Sequence, residues 1–341
     1  MFPHLRSSVA VDLGTANVLV HVNGRGIVLR EPSIITVRAD NRREITAVGE
    51  AARQMAGRSP EDVIAIRPLK DGVIADIDAT EMMLQYFLSK ALQRGGLFNI
   101  APDIVICVPC GVTDVEKRAV MQATYNAGAH EVMIAEEPLA AALGAGLPVT
   151  EPVGSMIVDI GGGTSEVAVI SLGGIAASSS LRVGGVRMDE AVISLCRKEY
   201  NLLISEQTAE DVKINLGSAI EPRYSTAMQI KGLDLATGDA ASAEITTAEV
   251  YDALREPVSE ILEVIRATLE KTPPELAADV MRNGITLAGG GAMLQGLELL
   301  IYRETGISAS VAQNPMDCVA LGAGRILQTL PRLRRRADAE R

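Results

Sequence analysis

Tryptophan is absent from this chain, and aromatic residues of any kind are few: three Phe and six Tyr. Its cores must therefore be built from aliphatic side chains. Three histidines, His4, His21 and His130, are scattered with no acid pattern that makes a triad, and no role is assigned to any of them. Cysteine is limited to Cys107, Cys110, Cys196 and Cys318, too few and too spread for a disulfide framework. Cys107 and Cys110 have CxxC spacing but close an apolar strand, and no second CxxC or nearby His completes a zinc set. They read as buried thiols of a reducing compartment. A basic excess is also missing. The formal net charge of −11 excludes a general nucleic-acid binder, which needs a basic face. No apolar run reaches about 18 residues and no signal-peptide pattern opens the chain. The expectation is a cytoplasmic, soluble protein that meets a membrane only peripherally.

Glycine is plentiful, at 31 residues, and marks the features that matter. Ser8-Val9-Ala10-Val11 runs into Asp12-Leu13-Gly14-Thr15-Ala16-Asn17. Met156-Ile157-Val158 runs into Asp159-Ile160-Gly161-Gly162-Gly163-Thr164-Ser165. Each is a short strand ending in an acid, followed by a turn whose glycines let backbone N–H groups approach a ligand. Such a turn can cradle an anion, and the acid can hold a cation or its waters. One copy alone also reads as a solvated strand end. Two copies imply a duplicated fold holding one phosphorylated ligand, with Asp12 and Asp159 near its metal ion. Thr15, Asn17, Thr164 and Ser165 can donate to phosphate oxygens.

The elements around these turns alternate strand and helix. Asp78 with Glu81, Thr113 with Glu116, and Thr246 with Glu249 have capping-box spacing before helical apolar periodicity. Pro138 opens an alanine-rich helix, Ala140 to Ala142, that must pack closely. Strand 285–288 runs into Gly289-Gly290-Gly291 without an acid nearby in sequence. No GxGxxG follows the first strand, which excludes a single dinucleotide-binding domain. Residues 33–70 and 205–244 read as insertions, one in each half.

Three further groups could carry chemistry. Glu136 and Glu137 stand before Pro138; they either satisfy helix-start N–H groups or orient an attacking water beside a γ-phosphate. Gly289 to Gly291 either make a tight turn or clear space for a flat base. Glu210 and Lys213, three apart on a helix, either form a surface pair or clamp a ribose or base edge. Leu97 and Phe98 in a glycine-containing loop are either buried or exposed to a lipid headgroup boundary. The run Arg332-Leu333-Arg334-Arg335-Arg336 reads as a basic tail, solvated or drawn to an anionic surface.

Taken with Ala65-Ile66-Arg67-Pro68-Leu69-Lys70-Asp71-Gly72-Val73-Ile74-Ala75-Asp76, Glu136-Glu137-Pro138-Leu139-Ala140-Ala141-Ala142 and Thr272-Pro273-Pro274-Glu275-Leu276, the chain resembles the MreB family of bacterial actin-like cell-shape proteins from about residue 8 to 330. The paired Asp–Gly turns mark the wider actin, chaperone and sugar-kinase superfamily. The IRPLKDGVIAD and TPPEL runs are narrower.

The resemblance implies an α/β actin-like (ribonuclease H-like) duplicated fold: two large domains, each with an inserted smaller one, and a nucleotide cleft between. Its expected boundaries are 1–32, 73–149 and 319–331 for subdomain IA and 33–72 for IB. Residues 150–182 and 249–318 fall to IIA, 183–248 to IIB, and 332–341 to the tail. It implies ATP or ADP with Mg2+ as cofactors and ATP hydrolysis coupled to filament dynamics. Self-assembly into paired antiparallel protofilaments follows, under the inner membrane, together with the cell-wall elongation machinery that maintains rod shape. By position, Glu137 with Glu136 beside it matches the hydrolytic site. Gly14, Thr15, Ala16, Asn17, Gly161, Gly162, Gly163 and Thr164 match the phosphate turns, and Gly289, Gly290 and Gly291 the base wall. Glu210 and Lys213 match the adenosine contacts, and Leu97-Phe98 the membrane loop. Val186-Arg187 and Leu321 depart from common family residues without touching the phosphate turns, and Ser165 replaces a frequent Thr while keeping the hydroxyl. A nucleotide-binding scaffold with little turnover, a sugar or metabolite kinase and a chaperone ATPase are the competing readings. A kinase would need an acceptor pocket with its own base, and a chaperone a following peptide-binding domain.

Overall fold

Asp12 and Asp159 each close the first strand of a five-stranded sheet, and the two sheets share one wiring plan. A computed structural model describes residues 7–57, 62–93 and 100–339, with side chains as far as 328. The chain divides into two compact units. One comprises Met1–Val153, Ile170–Ile175 and Met316–Arg341; the other comprises Gly154–Val169 and Ala176–Pro315.

The first unit opens with β1 (Ser8–Leu13), β2 (Asn17–Val22) and β3 (Gly26–Pro32), an antiparallel meander. A smaller three-stranded sheet follows, made of β4 (Ile35–Arg38), β5 (Ile45–Val48) and, after the short helix α1 (Glu50–Met55), β6 (Val63–Ile66). The two-residue strands β7 (Leu69–Lys70) and β8 (Val73–Ile74) are joined through Asp71 and Gly72, at φ 50° and 77°. Positive φ at both central residues is the requirement of a type I′ hairpin, so the Asp-Gly pair has a local structural reason.

Helix α2 (Ile77–Ala91) is capped by Asp76, whose side chain accepts from Ala79 N at 3.0 Å. The capping position expected at Asp78 is therefore wrong by two residues: Asp76 has the extended backbone a cap needs, and Asp78 already lies in the first turn. Next come β9 (Asp103–Val108), α3 (Asp114–Asn126), β10 (Glu131–Glu136) and α4 (Glu137–Ala145). The Thr113–Glu116 capping box is present. β1, β9 and β10 run parallel, giving the sheet order β10-β9-β1-β2-β3. Phe87, Met83, Leu84 and Leu88 of α2 are buried against it, with Val9, Val11, Val20 and Ile106.

The second unit repeats the plan. β11 (Ser155–Ile160), β12 (Ser165–Ser171) and β13 (Gly174–Leu181) come first, with the β12–β13 tip belonging to the first unit. After α5 (Gly185–Tyr200) a three-stranded sheet is formed by β14 (Leu202–Leu203), β15 (Ala227–Asp234) and β16 (Ala240–Thr246), with α6 (Glu206–Leu216) between the first two. The long helix α7 (Thr247–Lys271) starts at the expected Thr246–Glu249 capping box and is followed by α8 (Pro274–Asn283). Parallel strands β17 (Ile285–Ala288) and β18 (Ala309–Val311), separated by α9 (Leu297–Thr305), complete the order β13-β12-β11-β17-β18. Val158, Ile160, Val192, Val212, Leu254, Ile261 and Leu287 anchor an aliphatic core, as the shortage of aromatics requires.

The chain then returns to the first unit as α10 (Cys318–Ala339), whose backbone includes the Arg332–Arg336 run. Its partner is the alanine-rich α4. Gly144 and Gly322 make the crossing possible: a Cβ on Gly144 would run into the Cys318 carbonyl, and one on Gly322 into the Ala140 carbonyl. All four cysteines are buried thiols outside any disulfide, as expected.

Candidate functional site

Both glycine turns are hairpin turns between the first two strands of their sheets, so the chain doubles back instead of entering a helix. In the first unit, Asp12 is paired with Leu19 on β2 and with Cys107 on β9. The turn beyond it is tight, since a Cβ on Gly14 would sit 2.7 Å from Asn17 O. Neighbouring segments hold it. Ser33 donates through Oγ to Gly14 O at 2.5 Å and through N to Ala16 O at 2.9 Å. Gly72 N donates to Thr15 Oγ1 at 3.0 Å, which leaves the Thr15 hydroxyl proton able to point elsewhere. The IRPLKDGVIAD run thus touches the first turn directly, through the hairpin that its Asp-Gly pair forms.

Glu136 and Glu137 belong to the same sheet end. Cys107 on β9 is the register partner of both Asp12 and Ala135, and Glu136 follows one residue on. Two strand spacings of about 4.8 Å separate β1 from β10, so Asp12 and Glu136 start from backbones roughly 10 Å apart along one edge. Glu136 is the exposed N-cap of α4 and makes no side-chain cap bond; Glu137 is the half-buried first residue of that helix. The purely structural account, in which Glu136 satisfies the helix start, is not what its side chain does.

In the second unit Asp159 is 6% exposed, and burial pushes its carboxyl up to about 7, with no neighbouring charge working against that shift. Its register partner is Ala288, so the glycines expected to lack an acid have one in space: a Cβ on Gly289 would come 2.6 Å from Asp159 Oδ1. Gly289, at φ 79°, and Gly291 also have no room for a side chain against Ile160, whereas Gly290 opens onto free space. Two of the three glycines are accordingly required by the chain's own packing.

The Gly161–Thr164 turn is closed by Gly161 N donating to Thr164 O at 2.8 Å. Its carbonyls meet the start of α5, where Gly185 N donates to Gly161 O at 2.9 Å and Val186 N to Gly162 O at 2.8 Å, so Val186, expected to stand clear of this turn, touches it through its backbone. A Cβ on Gly184 would sit 2.6 Å from Gly161 O, which explains the Gly-Gly pair there. Ser165, expected to donate to phosphate, is fully buried and gives its hydroxyl proton to Val183 O at 2.7 Å. That expectation is corrected: the hydroxyl is needed to hold β12 to the segment before α5.

Lys213 reaches the same place from α6. Its Nζ donates to Gly185 O at 3.1 Å and lies 2.8 Å from Asp189 Oδ1 on α5. Burial raises the Asp189 carboxyl to about 6; the Lys213 charge opposes this, and Glu210 and Glu206 add to it. Lys213 and Glu210 are therefore not a surface pair; both face Asp189. Asp189 went unnoticed in the sequence because its partner lies on the next helix, and no local signal marks it.

Leu97 and Phe98 lie outside the described residues. Among the described residues, no helix is long and apolar enough to cross a membrane.

The MreB/Mbl protein family matches residues 6–335. The chain belongs to that family. It is 47% identical over 327 residues to the cell shape-determining protein MreB of Escherichia coli (strain K12), covering 95% of this chain and 94% of that one. To the cell shape-determining protein Mbl of Bacillus subtilis (strain 168) it is 45% identical over 328 residues, covering 96% and 98%. Among solved structures, MreB5 of Spiroplasma citri bound to AMPPNP superposes with a TM-score of 0.91 at 36% identity, over 98% of this chain and 100% of that one. The fold is accordingly actin-like, as the duplicated sheets imply.

The donor sets suit a polyphosphate with a divalent cation. A buried carboxylate without a counter-charge, beside glycines that keep the space around it clear, is stabilised in its ionised form when a cation arrives. Within the second unit Asp159 is the residue that would hold the ion, partly through its retained waters.

Proposed function

We propose that this MreB/Mbl family member is an actin-like, nucleotide-dependent cytoskeletal protein that determines cell shape. One ATP with Mg2+ takes backbone donors from Gly14 to Asn17 and from Gly162 to Thr164, with Gly161 closing the second turn, metal-shell charge from Asp12 and Asp159, and a base wall from Gly289 to Gly291. Glu210 and Lys213 flank the adenosine side. Relatives support this reading, since MreB5 of Spiroplasma citri was solved with ADP and with AMPPNP. We assign the subdomains as the resemblance implies, with 33–72 and 183–248 as the insertions. ATP binding fixes the surfaces that the next subunit meets, so a heterologous contact extends into a filament. The filament works at the inner face of the cell membrane with the wall-elongation machinery.

The observation that carries the proposal is the repeated Asp–Gly hairpin turn, one copy in each unit, with Asp159 buried and uncompensated. Calorimetry with Mg2+–ATP tests it. Asp12→Ala and Asp159→Ala should each weaken binding, and unchanged affinity in both folded variants would remove the shared ligand. Hydrolysis is assigned to Glu137 as the group that positions water. Glu137→Ala should lower turnover about 10²–10⁴-fold while sparing ATP affinity. Full turnover in that variant, or loss in Glu136→Ala alone, would move the role.

A further inference from the structure

The end of the first sheet opposite Asp12 and Glu136 carries a different constellation. Asp103 and Glu131 are the first residues of the parallel neighbours β9 and β10 and are partners in their register. His130 immediately precedes β10, and its backbone is fixed by His130 N donating to Pro102 O at 2.7 Å. The imidazole Nδ1 stands 2.9 Å from Asp103 Oδ1, and one candidate ligand atom from each of the three side chains lies within 4.8 Å of the others. Among the described residues no other three His, Cys, Asp or Glu side chains come together in this way. Asp103 is buried at 9% exposure, whereas His130 and Glu131 are open to solvent.

We propose that Asp103, His130 and Glu131 form a site for a divalent transition-metal ion, Zn2+ or a first-row neighbour. Three features carry this. Two carboxylates at directly paired positions of adjacent strands repel each other, and a dication between them reverses the sign of that interaction. One imidazole with two carboxylates is a mixed nitrogen and oxygen set, which suits zinc, cobalt or nickel better than magnesium. The spacing is also within reach. Bonds of about 2.0–2.1 Å in a tetrahedron put ligand atoms roughly 3.4 Å apart, so a modest rotation of the exposed Glu131 closes the set. Two of the ligands begin rigid strands and the third is adjacent, so their backbones move little. A bound ion would clip the start of β9 to the start of β10. The carboxyl ends of those six-residue strands lie roughly 17 Å away along the chain direction, so the clip is separate from Glu136.

The test uses the full chain without nucleotide, titrated with Co2+ and then Zn2+. The site predicts one equivalent of Co2+ with visible d–d bands and no thiolate charge-transfer band, displaced by Zn2+ and retained in excess Mg2+. Zn2+ should raise the unfolding temperature of the parent, because a ligand that binds only the folded state stabilises it. His130→Ala and Glu131→Gln should each weaken Zn2+ binding about tenfold or more and remove the thermal shift. His4→Ala should leave both unchanged. Both test variants alter exposed side chains, and circular dichroism of each beside the parent checks that the fold is kept; Asp103 need not be touched. Absence of Co2+ or Zn2+ uptake in excess metal would overturn the proposal. A thiolate band, binding that survives His130→Ala, or binding lost in His4→Ala would do the same. Loss of Mg2+–ATP binding in Asp12→Ala leaves this outcome unaffected, so the two sites fail independently.

Discussion

Lys213 shows how one side chain can serve a site without lying at its centre. Its amine joins α6 to α5 through Asp189 and Gly185 O, and Gly185 N in turn bonds Gly161 O in the turn proposed to hold phosphate. Lys213→Met is expected to destabilise the fold by up to about 3–5 kcal/mol, because it leaves the largely buried Asp189 carboxylate without its cation. Asp189→Asn should cost less, since Lys213 keeps its bond to Gly185 O. The pH profile separates the roles. The Asp189 carboxyl is raised to about 6, so the folded state holds that proton more tightly than the unfolded chain. Its effect on stability is therefore unfavourable at neutral pH and disappears as pH falls below the unfolded value near 4. Parent stability should decline from this group as pH rises from about 4 to 7, and denaturant titrations of Asp189→Asn should lack that component.

At the scale of elements, the capping boxes are the most direct transfer from sequence to structure. Thr246 and Glu249 bond each other at the start of α7, and Tyr200 OH adds a third bond to the same carboxylate at 2.5 Å. Burial pushes the Glu249 carboxyl up, but the bonds from Thr246 and Tyr200 outweigh it and hold the group below its ordinary range. The stability it supplies is present above about pH 4.5 and lost as pH falls through the lowered folded value. Thr246→Ala should cost about 1 kcal/mol at neutral pH, the usual worth of an N-cap, with the difference shrinking in acid.

The same scale shows what one dimension hides. Asp-Gly turns, caps and apolar periods are local, so they were legible. The Asp159–Gly289 contact and the α4–α10 crossing join distant segments and leave only glycines as a trace, while the Lys213–Asp189 pair shows only its lysine. Gly322 is such a trace. Gly322→Val should destabilise by about 1–3 kcal/mol or more, because a branched side chain there must displace the Ala140 carbonyl and the α4 backbone. Thermal denaturation of that variant beside Gly306→Val, where a Cβ meets nothing but the backbone has φ 73°, would separate crowding from backbone strain.

For the whole molecule, the proposed assembly follows from family membership, and the proposed membrane contact from the resemblance at Leu97 and Phe98. A lone Leu–Phe pair supplies only a few kcal/mol if fully buried. A monomer should bind lipid weakly, and a filament that repeats the contact should bind strongly. Leu97→Ser with Phe98→Ser should abolish liposome co-sedimentation and leave pelleting with ATP nearly intact. A double variant that still coats liposomes would shift the anchor to the first six residues or to the Arg332–Arg336 run.

The crossing of α10 over α4 has a consequence during synthesis. The first unit takes its strands from the start of the chain and its closing helix from Met316 onward. On a ribosome, the alanine face of α4 emerges early and waits for everything between 154 and 315. At about 5–20 residues per second that interval is roughly 8–30 s. Throughout it, the nascent first unit presents an uncovered apolar strip, while the second unit has all of its own segments once Pro315 is out. Arrest of translation just before residue 316 should therefore yield nascent chains that recruit hydrophobe-binding chaperones at α4, and release of the stalled C-terminal helix should clear them.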